Sequence, residues 1–230
     1  DSNKQNFNHN LTFHVMDVDN PCEWFPNARK LKRKFIMHVG PTNSGKTYHA
    51  LKRLETCTKG CYAGPLRLLA REVYDKFQKK NINCNLVTGE EVLIDIDGNG
   101  NKAGITSGTI EMLSMSESYD VVVVDEIQMI GDQYRGSAWT NAVLGVRAKE
   151  IHLCGEISAV PIIKRLVAMT GDDLEIKTYK RLGKLVVDDS IVEMTDLSKG
   201  DCIVCFSKTA ILDMKIQIER QTNFKCAVIY

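Results

Sequence analysis

Gly40-Pro41-Thr42-Asn43-Ser44-Gly45-Lys46-Thr47 is the stretch on which the fold turns. It satisfies the pattern GxxxxGK[ST] without substitution, and it lies between a short apolar run at 35–39 and a helical pattern that opens at Thr47. In that setting the spacing has a chemical meaning. Gly40 and Gly45 let the chain wrap tightly, and the N–H groups from about Asn43 to Thr47 can then point at phosphate oxygens. Lys46 is expected along the β- and γ-phosphates of a triphosphate, and the Thr47 hydroxyl on Mg2+.

Outward from this loop, short apolar runs alternate with longer helical patterns: strand at 35–39, helix at 47–54, strand at 60–63, helix at 65–80. Leu66, Leu69, Ala70, Val73 and Phe77 recur at helical spacing and give the last of these one apolar face. Such alternation predicts βαβ units on a parallel sheet. Residues 92–96 and 102–106 flank the turn run Asp97-Gly98-Asn99-Gly100-Asn101 and read as a hairpin at the sheet's margin. Residues 119–125 contain four consecutive valines, which predicts a central strand covered on both faces. A strand at 150–154, a helix at 158–169 and a strand at 174–179 complete a first α/β domain. After a linker at 180–199 the pattern restarts with a strand at 202–206, a helix at 209–220 and a strand at 226–230. The predicted organisation is therefore a polar upstream tail at 1–30, an α/β domain at 31–180, and at 181–230 a linker with the incomplete beginning of a second domain. The basic stretch Arg29, Lys30, Lys32, Arg33, Lys34 reads as a solvated flank ahead of the first strand.

A magnesium-bound triphosphate calls for a carboxylate at the end of a neighbouring strand, and Asp125-Glu126 follows the valine run. Asp125 is the candidate metal partner and Glu126 the candidate base for an attacking water. Alone, an acidic pair after a strand is more often a helix-terminus charge effect; coupled to the loop at Gly40 it reads as function. Arg67 opens the helix after Gly64-Pro65-Leu66. Thr88-Gly89-Glu90-Glu91 and Ser107-Gly108-Thr109-Ile110-Glu111 each place hydroxyls and backbone amides after a strand. Groups of this kind hold sugar-phosphate oxygens without reading bases, although any one of them is by itself an ordinary turn or cap.

Six segments in order carry a resemblance: the loop at 40–47, Gly-Pro-Leu-Arg-Leu-Leu-Ala at 64–70, Thr-Gly-Glu-Glu at 88–91, Asp-Glu-Ile-Gln-Met at 125–129, Leu-Cys-Gly-Glu at 153–156 and Cys-Ile-Val-Cys-Phe-Ser at 202–207. Together they resemble the motifs of superfamily-two DExH-box RNA helicases, and most of all the suppressor-of-Var family of mitochondrial RNA degradosome helicases in its fungal form. The likeness runs from Pro21 to Tyr230. It implies a RecA-like P-loop domain followed by the start of a second, and an ATP-driven motor that moves 3′ to 5′ on RNA and feeds a 3′ to 5′ exoribonuclease in the mitochondrial matrix. By match to those motifs, Gly45, Lys46, Thr47, Asp125 and Glu126 serve ATP and Mg2+. Gln128 stands where the wider group has His and links phosphate state to domain closure. Arg67, Thr88, Gly89, Thr109 and Glu111 align with RNA-side motifs, and Ser207 with the first such motif of the second domain. The family's phosphate-stabilising arginines fall beyond Tyr230, so residues 1–230 alone are expected to bind nucleotide better than they hydrolyse it.

Composition narrows the field from another side. With 30 Lys plus Arg against 29 Asp plus Glu, a formal charge of +1 and a pI near 7.7, bulk charge does not draw the chain onto nucleic acid; any such site is a local groove. No run approaches the ~18 apolar residues of a membrane-spanning helix. The chain starts at Asp1 rather than Met and reads as a processed or truncated product. The eight cysteines lack the spacing of a secreted disulfide framework, and Cys202 and Cys205 fall on an alternating run that would turn their sulfurs to opposite faces, against a zinc site. Tyr48, His49 and Trp24, near the loop in sequence, read as packing residues. Two rival functions share parts of the pattern. P-loop thymidine kinases resemble the chain at the phosphate loop and the Asp-Glu-x-Gln box, but carry two CxxC pairs. A non-catalytic RNA-binding scaffold is disfavoured by the intact Lys46, Thr47, Asp125 and Glu126.

Overall fold

The computed structural model describes residues 20–184 and 186–230; most of the predicted tail, residues 1–19, lies outside them. They form two compact units, divided between Gly183 and Lys184.

The first unit is built on one sheet of eight strands. In chain order its elements are α1 (Pro26–Arg29), β1 (Lys34–Val39), α2 (Lys46–Leu54), β2 (Gly60–Gly64), α3 (Arg67–Gln78), β3 (Cys84–Val87), β4 (Val92–Leu93), β5 (Ile105–Thr109), β6 (Ser118–Val124), α4 (Gly136–Gly145), β7 (Arg147–Gly155), α5 (Val160–Thr170) and β8 (Asp173–Thr178). Across the sheet the order is β4-β3-β5-β2-β6-β7-β1-β8. All neighbours are parallel except β3 and β4, which pair Leu86 with Leu93 and Val87 with Val92. The valine run is central as predicted, with β2 on one side and β7 on the other.

Its alternation supplies both faces of the core. Val122 and Val124 pack with Phe35, Met37, Ile151 and Leu153 beneath Trp139, Val143 and Leu144 of α4 and Ile163 and Leu166 of α5. Val121 and Val123 face the opposite way, onto Ala50, Leu51 and Leu54 of α2 and Val73 and Phe77 of α3. A strand segment covered on both sides can be apolar at every position, and the four valines that end β6 are. Cys61, Cys84 and Cys154 sit in the same interior; burial pushes the first two thiols up to about 12 and the third well above its ordinary value.

Two expectations give way. The hairpin reduces to a single bridge, Ile96 to Lys102. Ile105–Thr109 is instead drawn between β3 and β2, where both of its edges find ladder partners. The basic flank is not solvated throughout: Arg33 is 0% exposed, its guanidinium held by Asp172 and by the carbonyls of Val143 and Val146. The strands β3 and helix α4, which no pattern announced, complete the sheet and its cover.

The second unit holds a 3-10 turn, Met194–Asp196, and α6 (Lys208–Gln221). The helix predicted at 209–220 is present, but the flanking strands at 202–206 and 226–230 are not. A strand is stabilised by its ladder and by a covered face. Among the described residues of this unit neither segment has a ladder partner, and Ile218 is the one buried side chain.

Candidate functional site

The carboxyl ends of β1, β6 and β7 converge on one edge of the sheet. The loop 40–47 leaves β1 there and runs straight into α2, whose N-cap is Gly45 at φ +80°. A side chain is strained in that left-handed region, so glycine is what the turn requires. No side chain caps this helix start, which leaves its first-turn N–H groups, and the positive end of its dipole, free to meet an anion. Asn43 also adopts positive φ, at 55°, a conformation Asn tolerates. The Ser44 hydroxyl is buried with no hydrogen-bond partner among the described residues. Lys46, also buried, folds back to donate to the Pro41 carbonyl at 3.0 Å.

Asp125 ends the valine strand and faces this loop. Its Oδ1 accepts from the Thr47 hydroxyl at 3.3 Å and from the Glu126 amide at 3.0 Å; its Oδ2 accepts from the Tyr62 phenol at 2.9 Å. Trp139, fully buried on α4, donates from Nε1 to the Asp125 carbonyl at 2.9 Å and fixes the backbone. Burial, then the neighbouring Glu126, pushes the Asp125 carboxyl above its ordinary value. Among the described residues neither Lys46 nor Asp125 belongs to an ion pair. A buried ammonium and a buried carboxylate, each satisfied only by neutral groups, fit the phosphates and the cation of a metal-bound nucleotide.

Glu126 stands at φ 50°, ψ 52°, a conformation that costs a non-glycine residue about 1–2 kcal/mol and concentrates at functional sites. The turn that follows, Ile127–Gly131, brings Gln128 back over the edge. Its amide donates to the Glu126 carboxylate, while its Oε1 accepts from the Glu156 backbone N–H at 3.1 Å. Gln128 thereby ties the acidic end of β6 to the end of β7.

The predicted RNA-side residues lie along the same edge on the other half of the sheet, after β2, β3 and β5. Register brings Gly64 beside Thr109, and Val87 beside Gly108. Arg67 pairs with Glu90, Arg71 with Glu91 at 2.8 Å, and Arg135 with Glu111 at 2.7 Å. Thr88 and Thr109 are buried, and the Thr88 hydroxyl accepts from the amides of Glu90 and Glu91, holding Gly89 at a turn. Ser207 belongs to the second unit, where its hydroxyl caps α6 by accepting from the Ala210 amide at 3.1 Å. Of the flanking aromatics, His49 meets Tyr179 with tilted rings but is exposed, and Tyr48 is 56% exposed with Lys52 over its ring, both contrary to a packing role.

Three participants escaped the sequence reading: Tyr62, Trp139 and the segment after β8. In that segment Arg181 donates from Nη1 to the Thr42 carbonyl and hydroxyl at 3.2 and 3.0 Å, and the Leu182 amide donates to the Asn43 carbonyl at 2.9 Å. None of them follows a spacing rule.

The family model described as the DEXQ-box helicase domain of Suv3 matches residues 21–179. The chain belongs to that family. Asp125-Glu126-Ile127-Gln128 is the box the description names, and the motif resemblance is borne out while the nucleoside-kinase and scaffold readings are not supported. Identity is 59% over 219 residues with the Saccharomyces cerevisiae protein named ATP-dependent RNA helicase SUV3, mitochondrial, covering 94% of this chain and 30% of that one. It is 61% over 215 residues with the Candida albicans protein of the same name, with the same shares, and 46% over 217 residues with human ATP-dependent RNA helicase SUPV3L1, mitochondrial, covering 94% and 27%. The chain thus spans about 30% of the length of the curated Suv3 relatives it matches. Among solved structures, the Pyrococcus furiosus Hef helicase domain aligns with a TM-score of 0.44 at 16% identity, over 68% of this chain and 36% of that one. No helix among the described residues is long and apolar enough to cross a membrane.

Proposed function

We propose that this chain carries the nucleotide-binding part of an ATP-dependent RNA helicase that moves 3′ to 5′, and that it works with a 3′ to 5′ exoribonuclease in the mitochondrial matrix. The observation that carries the reading is the approach of Thr47 to Asp125, 3.3 Å across the sheet edge, at the mouth of an uncapped helix. The names of the Suv3 relatives support RNA, ATP and the mitochondrion; the exoribonuclease and the matrix rest on motif likeness alone.

In this reading residues 40–47 cradle the phosphates, with Pro41, Thr42, Asn43 and Ser44 shaping the loop and Lys46 released from the Pro41 carbonyl toward the transferring phosphoryl group. Thr47 and Asp125 hold Mg2+, which when bound neutralises charge on the phosphates. Glu126, oriented by the Gln128 amide, accepts the proton of the attacking water. Because Gln128 also holds the Glu156 amide, a shift of Glu126 during hydrolysis is passed to the end of β7. Arg67, Gly89 and the backbone at Thr88, Thr109 and Glu111 contact the RNA backbone, in keeping with a chain whose net charge gives no general pull. Residues 31–180 act as the first RecA-like domain, and 181–230 as a linker and the beginning of the second, with Ser207 on its RNA side.

The test is RNA-stimulated ATP hydrolysis by the full-length protein and by its Lys46→Ala variant. A loss of at least about 100-fold is expected, since this side chain stabilises transition-state charge; equal rates would end the motor reading. Duplexes with 3′ or 5′ overhangs report direction, and affinity purification from isolated matrix reports the nuclease.

A further inference from the structure

Tyr62 lies outside every motif that the sequence offered, yet it touches the carboxylate at the centre of the candidate site. It sits on β2 in register with Val123, one position short of the strand end that Asp125 follows. Its ring is 1% exposed among Leu54, Val73 and Val121. A buried phenol needs a partner for its hydroxyl, and this one has Asp125 Oδ2 at 2.9 Å. A second observation shows that the ring's path is built in. It runs along the strand over Gly64, two residues on and on the same face. A Cβ at Gly64 would stand 2.7 Å from the Tyr62 hydroxyl oxygen and 3.0 Å from Cε1, so the phenol reaches Asp125 only because residue 64 has no side chain.

The consequence is a carboxylate held from both sides. Thr47 and the Glu126 amide bind Oδ1; among the described residues Tyr62 alone binds Oδ2. With all three in place the carboxylate plane is fixed and Oδ1 is turned toward the Thr47 hydroxyl, the other oxygen proposed to meet the cation. We infer that Tyr62 is a positioning residue for the metal-side carboxylate, and that Gly64 serves the site by letting Tyr62 reach it. This rests on the reading of Asp125 as the Mg2+ partner. Groups that orient metal-binding carboxylates typically contribute 10–100-fold to metal affinity.

The experiment titrates Mg2+ into the full-length protein with a fluorescent ADP, in the wild type and in Tyr62→Phe, and reads nucleotide affinity rather than turnover. Phenylalanine keeps the ring's packing and removes only the hydroxyl. The Mg2+ concentration giving half-maximal gain in ADP affinity is expected to rise about tenfold, with the affinity in EDTA unchanged within about twofold. Gly64→Ala should move the Mg2+ requirement the same way; should it unfold the domain, Tyr62→Phe decides alone. A Mg2+ requirement in Tyr62→Phe equal to or lower than that of the wild type overturns the inference. Failure of the underlying reading looks different: the wild type would bind ADP indifferently to Mg2+, or Lys46→Ala would bind it as well as the wild type.

Discussion

His38 Nε2 lies 2.8 Å from His152 Nδ1, with the two rings stacked at 5.1 Å inside the sheet's α2 face. The pair is the middle of a chain: the Tyr179 hydroxyl meets His38 Nδ1 at 2.8 Å, and Glu150, held by Arg53, lies 3.4 Å from His152 Nε2. Burial, then His152, Lys177 and His49, pushes His38 down to about 4, and burial lowers His152 against the opposing pull of Glu150. A native value below the unfolded one means that the unfolded chain binds the proton first. Stability is therefore fully present above the ordinary histidine value of 6.5, falls as pH drops from there toward about 4, and stops falling on this account below it. Thermal denaturation between pH 7.5 and 4.5 should show that slope, and a His38→Gln variant should show a shallower one. Parallel pH profiles for the two proteins would contradict it.

Breaking the pair at the opposite edge of the sheet should be costly. Arg33 is enclosed completely, and Asp172 accepts from its amide and from both Nε and Nη2. Asp172→Ala leaves that guanidinium buried without its counter-charge, so urea denaturation should register a loss of about 3–5 kcal/mol. A loss below about 1 kcal/mol would mean that Arg33 finds water in the variant.

Arg181 acts at a distance of 139 residues in sequence on the phosphate loop. Arg181→Ala removes its two hydrogen bonds to Thr42 from an exposed position, so the melting temperature should hardly move while nucleotide affinity falls roughly fivefold, the worth of about 1 kcal/mol of lost loop order. Unaltered affinity would show that the loop keeps its shape without the strap.

For RNA the informative variant is Arg67→Gln. If the guanidinium leaves Glu90 for a phosphate, affinity for single-stranded RNA drops across all sequences, and the slope of log affinity against log salt decreases in magnitude by about 1. Fluorescence anisotropy over a salt series measures both, and an unchanged slope would place the RNA backbone elsewhere.

The motifs and the valine run were legible because each is local: the loop carries its own glycines, and a strand covered on both faces has to be apolar throughout. Everything that depended on pairing partners was not. Nothing in Ile105–Thr109 distinguishes a hairpin leg from an inner strand until β3 and β2 are known to flank it. Arg33 looked solvated because charge runs usually are, and Asp172 is too far along the chain for any periodicity to join them. Tyr62 reads as an ordinary core aromatic, since its hydroxyl's partner is 63 residues away. The segments at 202–206 and 226–230 are short apolar runs of the kind strands use, but such a run provides no ladder.

The buried thiols of the first unit have a practical consequence. Maleimide dyes attack the thiolate, which Cys61, Cys84 and Cys154 form only at pH values far above those used for coupling. Cys202 is exposed, and Cys205 and Cys226 are partly so. In the first unit Cys57 is partly exposed as well, its thiol pushed up by burial. Fluorophores would therefore attach preferentially at Cys202, and a Cys57→Ser change would keep dye off the helix that follows the phosphate cradle.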